Sequence, residues 1–293
     1  MNSCILVSPV EASAGVSTAE RLKVVDATTP QVSVFDLSAT RGDGIFEVIG
    51  VIGGHPQALA AHLRRLAVSA AMLDLPELDL DAIREAVFRV AATAEQHAEF
   101  SVKIVVSRGV EGTGVATCWV VAFKSPDDFA AERAEGVKVV LLDRGYPHDI
   151  AARAPWLLAG AKTLSYAVNK AVLREAARRG ADDVIFTSSD GYVLEGPSAN
   201  LIAKFGTRIL TPTPAQGILR GTTQGAAFEY FADAGYATAE VLLKVEQLAG
   251  ADALWLTSSG RMLVPVRELD GRPVPVDHAL TAAANTALLA RTQ

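Results

Sequence analysis

Apolar residues recur along this chain with two periods, and the switches between them mark its elements. Residues 45–52 (IFEVIGVI) form an apolar, β-branched run followed by Gly53-Gly54 and another short extended piece, which predicts a β-hairpin. The period then changes. In ALAAHLRRLAVSAAMLDLP, residues Leu59, Leu63, Leu66, Ala70 and Leu73 fall at helical spacing, and Pro76 supplies the stop. Residues 79–97 repeat the helical pattern. SVKIVVSRG and ATCWVVAFK read as two strands joined by the turn GVEGTGV. Together these predict a smaller N-terminal α/β domain over 1–124. The short polar segment 125–136 (SPDDFAAERAEG) is expected to be a linker, and 137–293 a larger C-terminal domain.

In that second domain VKVVLLD reads as the opening strand. Residues 161–179 predict a helix, with Arg174, Arg178 and Arg179 near its end and Gly180 as its cap. DDVIFTSSDGYVLEG follows as strand, Asp-Gly turn and strand, and ANLIAKFGTRILTP as a second hairpin. TTQGAAFEYFADAGY reads as a helix and ALWLTSSGRMLVPV as strand, glycine turn and strand. The fold class is α/β in the mixed α+β sense, with no internal repeat.

Composition narrows the function. The chain has 293 residues, half of them hydrophobic, which suits two domains better than one. A net charge of -6 without a basic cluster argues against a nucleic-acid partner. Two cysteines, Cys4 and Cys118, make no disulfide framework, and the five histidines lack metal-ligand spacing, so no metal site is expected. No apolar run reaches the ~18 residues of a membrane helix, and no leader is expected, which reads as a cytoplasmic protein.

Three segments carry candidate chemistry. Lys162, in LAGAKTLSY, has apolar neighbours, and desolvation of its amine would suit it to bond a carbonyl carbon. From this segment alone, a surface lysine at a helix start is the stronger reading. Glu195, in GYVLEGPSANL, leaves a strand into a Gly-Pro turn; it is either an exposed turn residue or a carboxylate holding a pyridine nitrogen protonated. GILRGTTQ precedes a helix, so the N–H groups of Thr222 and Thr223 can face a phosphate. Ser258-Ser259-Gly260 is a second hydroxyl-rich turn, and Arg65 is a permanent positive charge on the first helix.

Taken together and in order, GDGIFEV (42–48), AHLRRL (61–66), Lys162, EGPSANL (195–201), GILRGTTQ (217–224) and LTSSGRMLVPV resemble the class IV, or fold type IV, pyridoxal-phosphate (PLP) enzymes. That family includes branched-chain and D-amino acid aminotransferases and 4-amino-4-deoxychorismate lyases. The resemblance implies a two-domain fold with PLP in the cleft between domains, and a homodimer. It makes Lys162 the lysine that carries the cofactor and the catalytic base. It puts Glu195 at the pyridine nitrogen and Arg65, Gly221, Thr222 and Thr223 around the phosphate, with Ser258 or Ser259 as the hydroxyl donor of the final phosphate turn. Tyr166, Ser198 and Asn200 complete the implied cofactor set.

Within the family, KTLSY is similar to the lyase and D-amino acid branches. The D-amino acid enzymes hold the substrate carboxylate with an Arg and a His after the strand-end Arg-Gly; Thr113 and Val115 stand there in this chain. The lyases often have SRGxGxRG, of which Ser107, Arg108, Gly109 and Gly114 are present, with Thr113 in place of the second Arg. The resemblance therefore leans towards a folate-pathway lyase releasing 4-aminobenzoate and pyruvate, with a D-amino acid or branched-chain aminotransferase as the alternative. Arg108 and Arg41 are the candidates for substrate carboxylates.

Overall fold

The computed structural model describes residues 3–12, 16–94, 97–124 and 129–292. The chain divides into two compact units: Met1–Pro126 with Ala161–Tyr166 and Arg291–Gln293, and Asp127–Gly160 with Ala167–Ala290.

The first unit is a six-stranded antiparallel sheet with two long helices. Its strands are β1 (Ser3–Val7), β2 (Leu22–Asp26), β3 (Gly44–Ile52), β4 (His55–Pro56), β5 (Glu99–Ser107) and β6 (Thr117–Phe123). They lie in the order β2-β1-β6-β5-β3-β4. The helices are α1 (Thr18–Arg21), α2 (Leu37–Thr40), α3 (Leu59–Met72) and α4 (Leu80–Ala92). On β3, Ile45, Glu47, Ile49 and Val51 are fully buried while Phe46 and Val48 are less so, the period-2 pattern of a strand with one face on a core. The buried stripe of α3 is Leu59, His62, Leu63, Leu66, Ser69 and Ala70. Its leucines are core; His62 and Ser69 are polar members of the same stripe, and each turns out to have a partner in the site.

The second unit is an eight-stranded mixed sheet. Its elements are α5 (Phe129–Glu135), β7 (Val137–Asp143), α6 (Ile150–Arg153), α7 (Ala167–Arg178), β8 (Asp183–Thr187), β9 (Asn200–Phe205), β10 (Arg208–Pro212), α8 (Thr222–Asp233), β11 (Ala237–Val241), β12 (Ala253–Ser258), β13 (Met262–Leu269), β14 (Arg272–Pro273) and α9 (His278–Leu289). The strand order is β11-β10-β9-β12-β13-β7-β8, with β14 on β13. Alternation sends neighbouring residues of β7 and β8 to different cores. Val137, Val139 and Ile185 join one cluster with Leu201, Leu254, Leu256 and Val264. Val140, Val184 and Phe186 join another with Ala176 of α7. Both faces are therefore covered, and each fully buried Val or Leu contributes about 1.5–3 kcal/mol.

Two expectations change. Within the expected linker, 129–135 is an α-helix of the second unit, built from good helix formers and ended by Gly136 at φ +77°. Residues 125–128 of that expected linker lie outside the described residues. The helix expected over 161–179 begins only at Ala167. Residues 161–166 belong with the first unit, where backbone groups of Lys162 and Leu164 bond to β3. The Phe46 N–H donates to the Lys162 carbonyl at 3.0 Å and the Leu164 N–H to the Gly44 carbonyl at 2.8 Å. Gly44 permits this approach: a Cβ there would meet Leu164 Cδ1 at 2.8 Å and the Val106 carbonyl oxygen at 2.6 Å. The N-terminal pair β1–β2 and the terminal helix α9 had no counterpart in the sequence reading.

Candidate active site

In the first unit the bridge between Ile45 and Thr163 sets the register. It places Lys162 opposite Phe46, with both side chains on one face. The Lys162 amine stands 4.5 Å from the centroid of the Phe46 ring, and the Tyr166 ring meets that same phenyl edge-on at 5.3 Å. The Lys162 N–H donates to Ser69 Oγ at 3.1 Å, so α3 holds the lysine's backbone from below. An ammonium over an aromatic face is attracted by the ring quadrupole.

On the other face of β3, Glu47 is fully buried. Its carboxylate accepts from Arg65 Nε and Nη2, both at 2.7 Å, and lies 2.7 Å from His62 Nδ1. Positions 62, 65 and 69 share one side of α3, since three or four residues make a turn. Burial alone would push the Glu47 carboxyl up; the hydrogen bonds and charge of Arg65, with those of His62, outweigh it and hold it at about 2. His62 is held below its usual value, first by burial and then by the charges of Arg65 and Lys162, against the pull of Glu47. Glu47 and His62 were quoted in the sequence motifs without a role. The signal that would have found Glu47 is a carboxylate at an inward position of an apolar strand, where it needs a cation.

In the second unit Glu195 Oε1 accepts the Leu219 N–H at 3.1 Å, and Glu195 Oε2 accepts Asn200 Nδ2 at 3.3 Å. Asn200 also donates to the Leu219 carbonyl at 2.7 Å. One asparagine thus ties the Glu195 carboxylate to the loop that leads into α8. Gly221, the N-cap of α8, has no side chain to bond the first-turn N–H groups of Thr222 and Thr223. A Cβ at Gly221 would run into the Asn200 amide oxygen, so the loop closes only on glycine. The buried Thr223 and part-buried Thr222 put hydroxyls at that helix end, and Ser258 and Ser259 put two more at the β12–β13 turn.

The class IV amino-transferase family profile matches residues 44–269. The chain belongs to the class IV aminotransferases. It is 44% identical over 265 residues, 86% of this chain and 91% of the relative, to the bifunctional aminodeoxychorismate lyase / D-amino acid transaminase of Mycobacterium tuberculosis. A fold IV transaminase from Curtobacterium pusillum superposes with a TM-score of 0.95 at 49% identity, covering 100% of this chain and 99% of the other. A hypothetical aminotransferase from Mycobacterium tuberculosis in PLP-bound form gives 0.89 at 40% identity, covering 98% and 99%.

Class IV enzymes are PLP-dependent, and the residues of this class IV chain suit that cofactor. The first unit holds an amine on an aromatic ring; the second holds an anchored carboxylate and a glycine-capped helix end with hydroxyls, the chemical types that a Schiff base, a pyridine nitrogen and an anion require. Ser198 is exposed, two residues before Asn200 in the chain. The two arginines named for substrate carboxylates are placed differently. Arg41 is exposed at the end of α2, donating to its neighbour's carbonyl at 3.2 Å. Arg108 donates to Asp43 Oδ2 at 2.7 Å, to the Leu73 carbonyl at 2.6 Å and to the Asp74 carbonyl at 3.2 Å, tying the end of α3 to β5. Thr113 bonds back to Val110 within its turn at 2.8 Å, and Val115 is exposed.

Among the described residues no helix is long and apolar enough to cross a membrane.

Proposed function

We propose that this class IV enzyme converts 4-amino-4-deoxychorismate to 4-aminobenzoate and pyruvate. The observation that carries this reading is the 44% identity, over 86% of the chain, to a relative named for that lyase activity. The 110–115 turn agrees with it. A D-amino acid trap would place paired charges at 113 and 115, and Thr113 and Val115 offer neither. The same relative is also named a D-amino acid transaminase, which keeps amino-group transfer from a D-amino acid as the second reading.

PLP, when bound, supplies an electron sink for the bond broken at the substrate's Cα. Lys162 carries it and, once substrate is seated, its amine takes the Cα proton. Phe46 sets the amine's position, and the backbone bonds of 161–164 to β3 keep it from swinging as the proton moves. Glu195, steered by Asn200 and the Leu219 N–H, would hold the ring nitrogen protonated. Thr222, Thr223, Ser258, Ser259 and Arg65 would bind the phosphate, with Gly221, Tyr166 and Ser198 completing the set. Arg41 takes a substrate carboxylate; Arg108 does so only by exchanging its bonds to Asp43 and the end of α3. In the lyase Lys162 returns its proton to the methylene carbon of the departing three-carbon fragment, which leaves as pyruvate while the ring becomes aromatic. In a transaminase the proton goes elsewhere, so Lys162 serves both chemistries and does not distinguish them. We take the working protein to be a cytoplasmic homodimer.

The test is one assay with two substrates. Release of pyruvate and 4-aminobenzoate from 4-amino-4-deoxychorismate supports the lyase. Amino transfer from D-alanine to 2-oxoglutarate with no 4-aminobenzoate formed replaces it with the second reading.

A further inference from the structure

The turn Ser258–Arg261 is built under constraint. Met262, which closes it opposite Ser258, is buried at φ +59°, a left-handed conformation that a non-glycine residue rarely adopts. Something must hold the backbone there. Arg261 is 12% exposed and donates through Nη2 to Asp183 Oδ2 at 2.6 Å, while its Nη1 lies 3.6 Å from Glu132 Oε2. Asp183, at the start of β8, is itself buried, and its other oxygen accepts the Val184 N–H at 2.8 Å. From the same side α5 presses Phe129 onto the turn: a Cβ on Gly260 would meet that ring at 2.8 Å. The Arg261 N–H points back to Ser258 Oγ at 3.4 Å.

Two carboxylates face one guanidinium here, so this cluster has no surplus positive charge to offer an anion. What it has is geometry. We propose that Arg261 is a positioning residue: with Asp183 and Glu132 it pins the Ser258-Ser259-Gly260 turn in the shape that presents its hydroxyls to the cofactor's phosphate. Helix α5, which the sequence reads as a linker, is the strut of that turn. The inference rests on the reading that this turn meets the phosphate.

The test separates phosphate from the rest of the cofactor. The full-length chain, stripped of cofactor, is titrated with pyridoxal phosphate and with pyridoxal, which has the same ring and aldehyde but no phosphate. Arg261→Gln is expected to raise the dissociation constant for pyridoxal phosphate about tenfold and to leave that for pyridoxal within about twofold, with Arg261→Lys recovering part of the loss. Equal weakening of both ligands, or of neither, overturns the proposal. If Arg261→Gln does not fold, Glu132→Gln gives the same contrast at about threefold, and its absence counts equally against it. Ser258→Ala and Ser259→Ala tell the two ideas apart. If they narrow the phosphate preference and the Arg261 and Glu132 variants do not, only the positioning role falls. If the serine variants leave the preference untouched, the phosphate reading of this turn falls, and this inference with it.

Discussion

Arg65 grips Glu47 with two parallel hydrogen bonds of 2.7 Å, and that carboxylate is fully shielded from solvent. The pair links β3 to α3, one residue along β3 from Phe46, which pairs with Lys162. Replacing Glu47 by Gln leaves the guanidinium with a neutral partner in a buried place. A buried pair broken on one side costs about 3–5 kcal/mol. Urea denaturation of Glu47→Gln should show a loss of that order; a loss under about 1 kcal/mol would mean the pair does not support the unit.

The same cluster makes stability depend on pH in two stages. His62 is held low by burial and by nearby cations, so the folded chain takes up its proton at lower pH than the unfolded chain, whose imidazole titrates at about 6.5. Its contribution therefore shrinks as pH falls from there. Glu47, near 2 when folded and about 4.5 otherwise, contributes fully above about 4.5 and loses that contribution as pH falls towards about 2. Denaturation midpoints across this range should fall in both windows. In His62→Gln the upper stage should vanish and the lower should persist.

Lys162→Ala should remove turnover and the absorbance near ~420 nm that a lysine-bound cofactor gives. Folding should change little, because what ties this segment to β3 and α3 is backbone: the Lys162 carbonyl, its N–H and the Leu164 N–H. An alanine variant that still shows that band after dialysis would remove Lys162 from the mechanism.

Gly221→Ala brings a methyl group against the Asn200 amide, which also steers Glu195. The backbone shift it forces should cost about 1–3 kcal/mol. Cofactor affinity should fall together with stability, since one asparagine serves both the loop and the carboxylate. Unchanged cofactor affinity would show that the loop is not part of the site.

Arg108→Ala should lower the melting temperature and leave KM nearly unchanged. The guanidinium is partly exposed, and its bonds cap the carbonyls of Leu73 and Asp74 at the end of α3, worth about 1 kcal/mol after solvent screening. A KM rise of tenfold or more at constant stability would return Arg108 to the substrate.

The sequence by itself determined the elements whose periods are clear: the β3 run, the α3 stripe, the hairpin over β9 and β10, and the turn between β12 and β13. It also made Lys162, Glu195 and the GILRGTTQ loop candidates in family order, because each is a short motif carried by adjacent residues. Tertiary structure decided what depends on partners distant in the chain. Residues 161–166 join the first unit because β3 offers backbone partners beside Gly44, a competition that local propensity does not register. Residues 129–135 pack as a helix because Gly260 leaves room for Phe129. The sequence shows Arg65 and Arg108 as lone charges; the fold pairs them with Glu47 and Asp43. A charge seen alone in a sequence has no partner, and only the fold brings one within hydrogen-bonding distance.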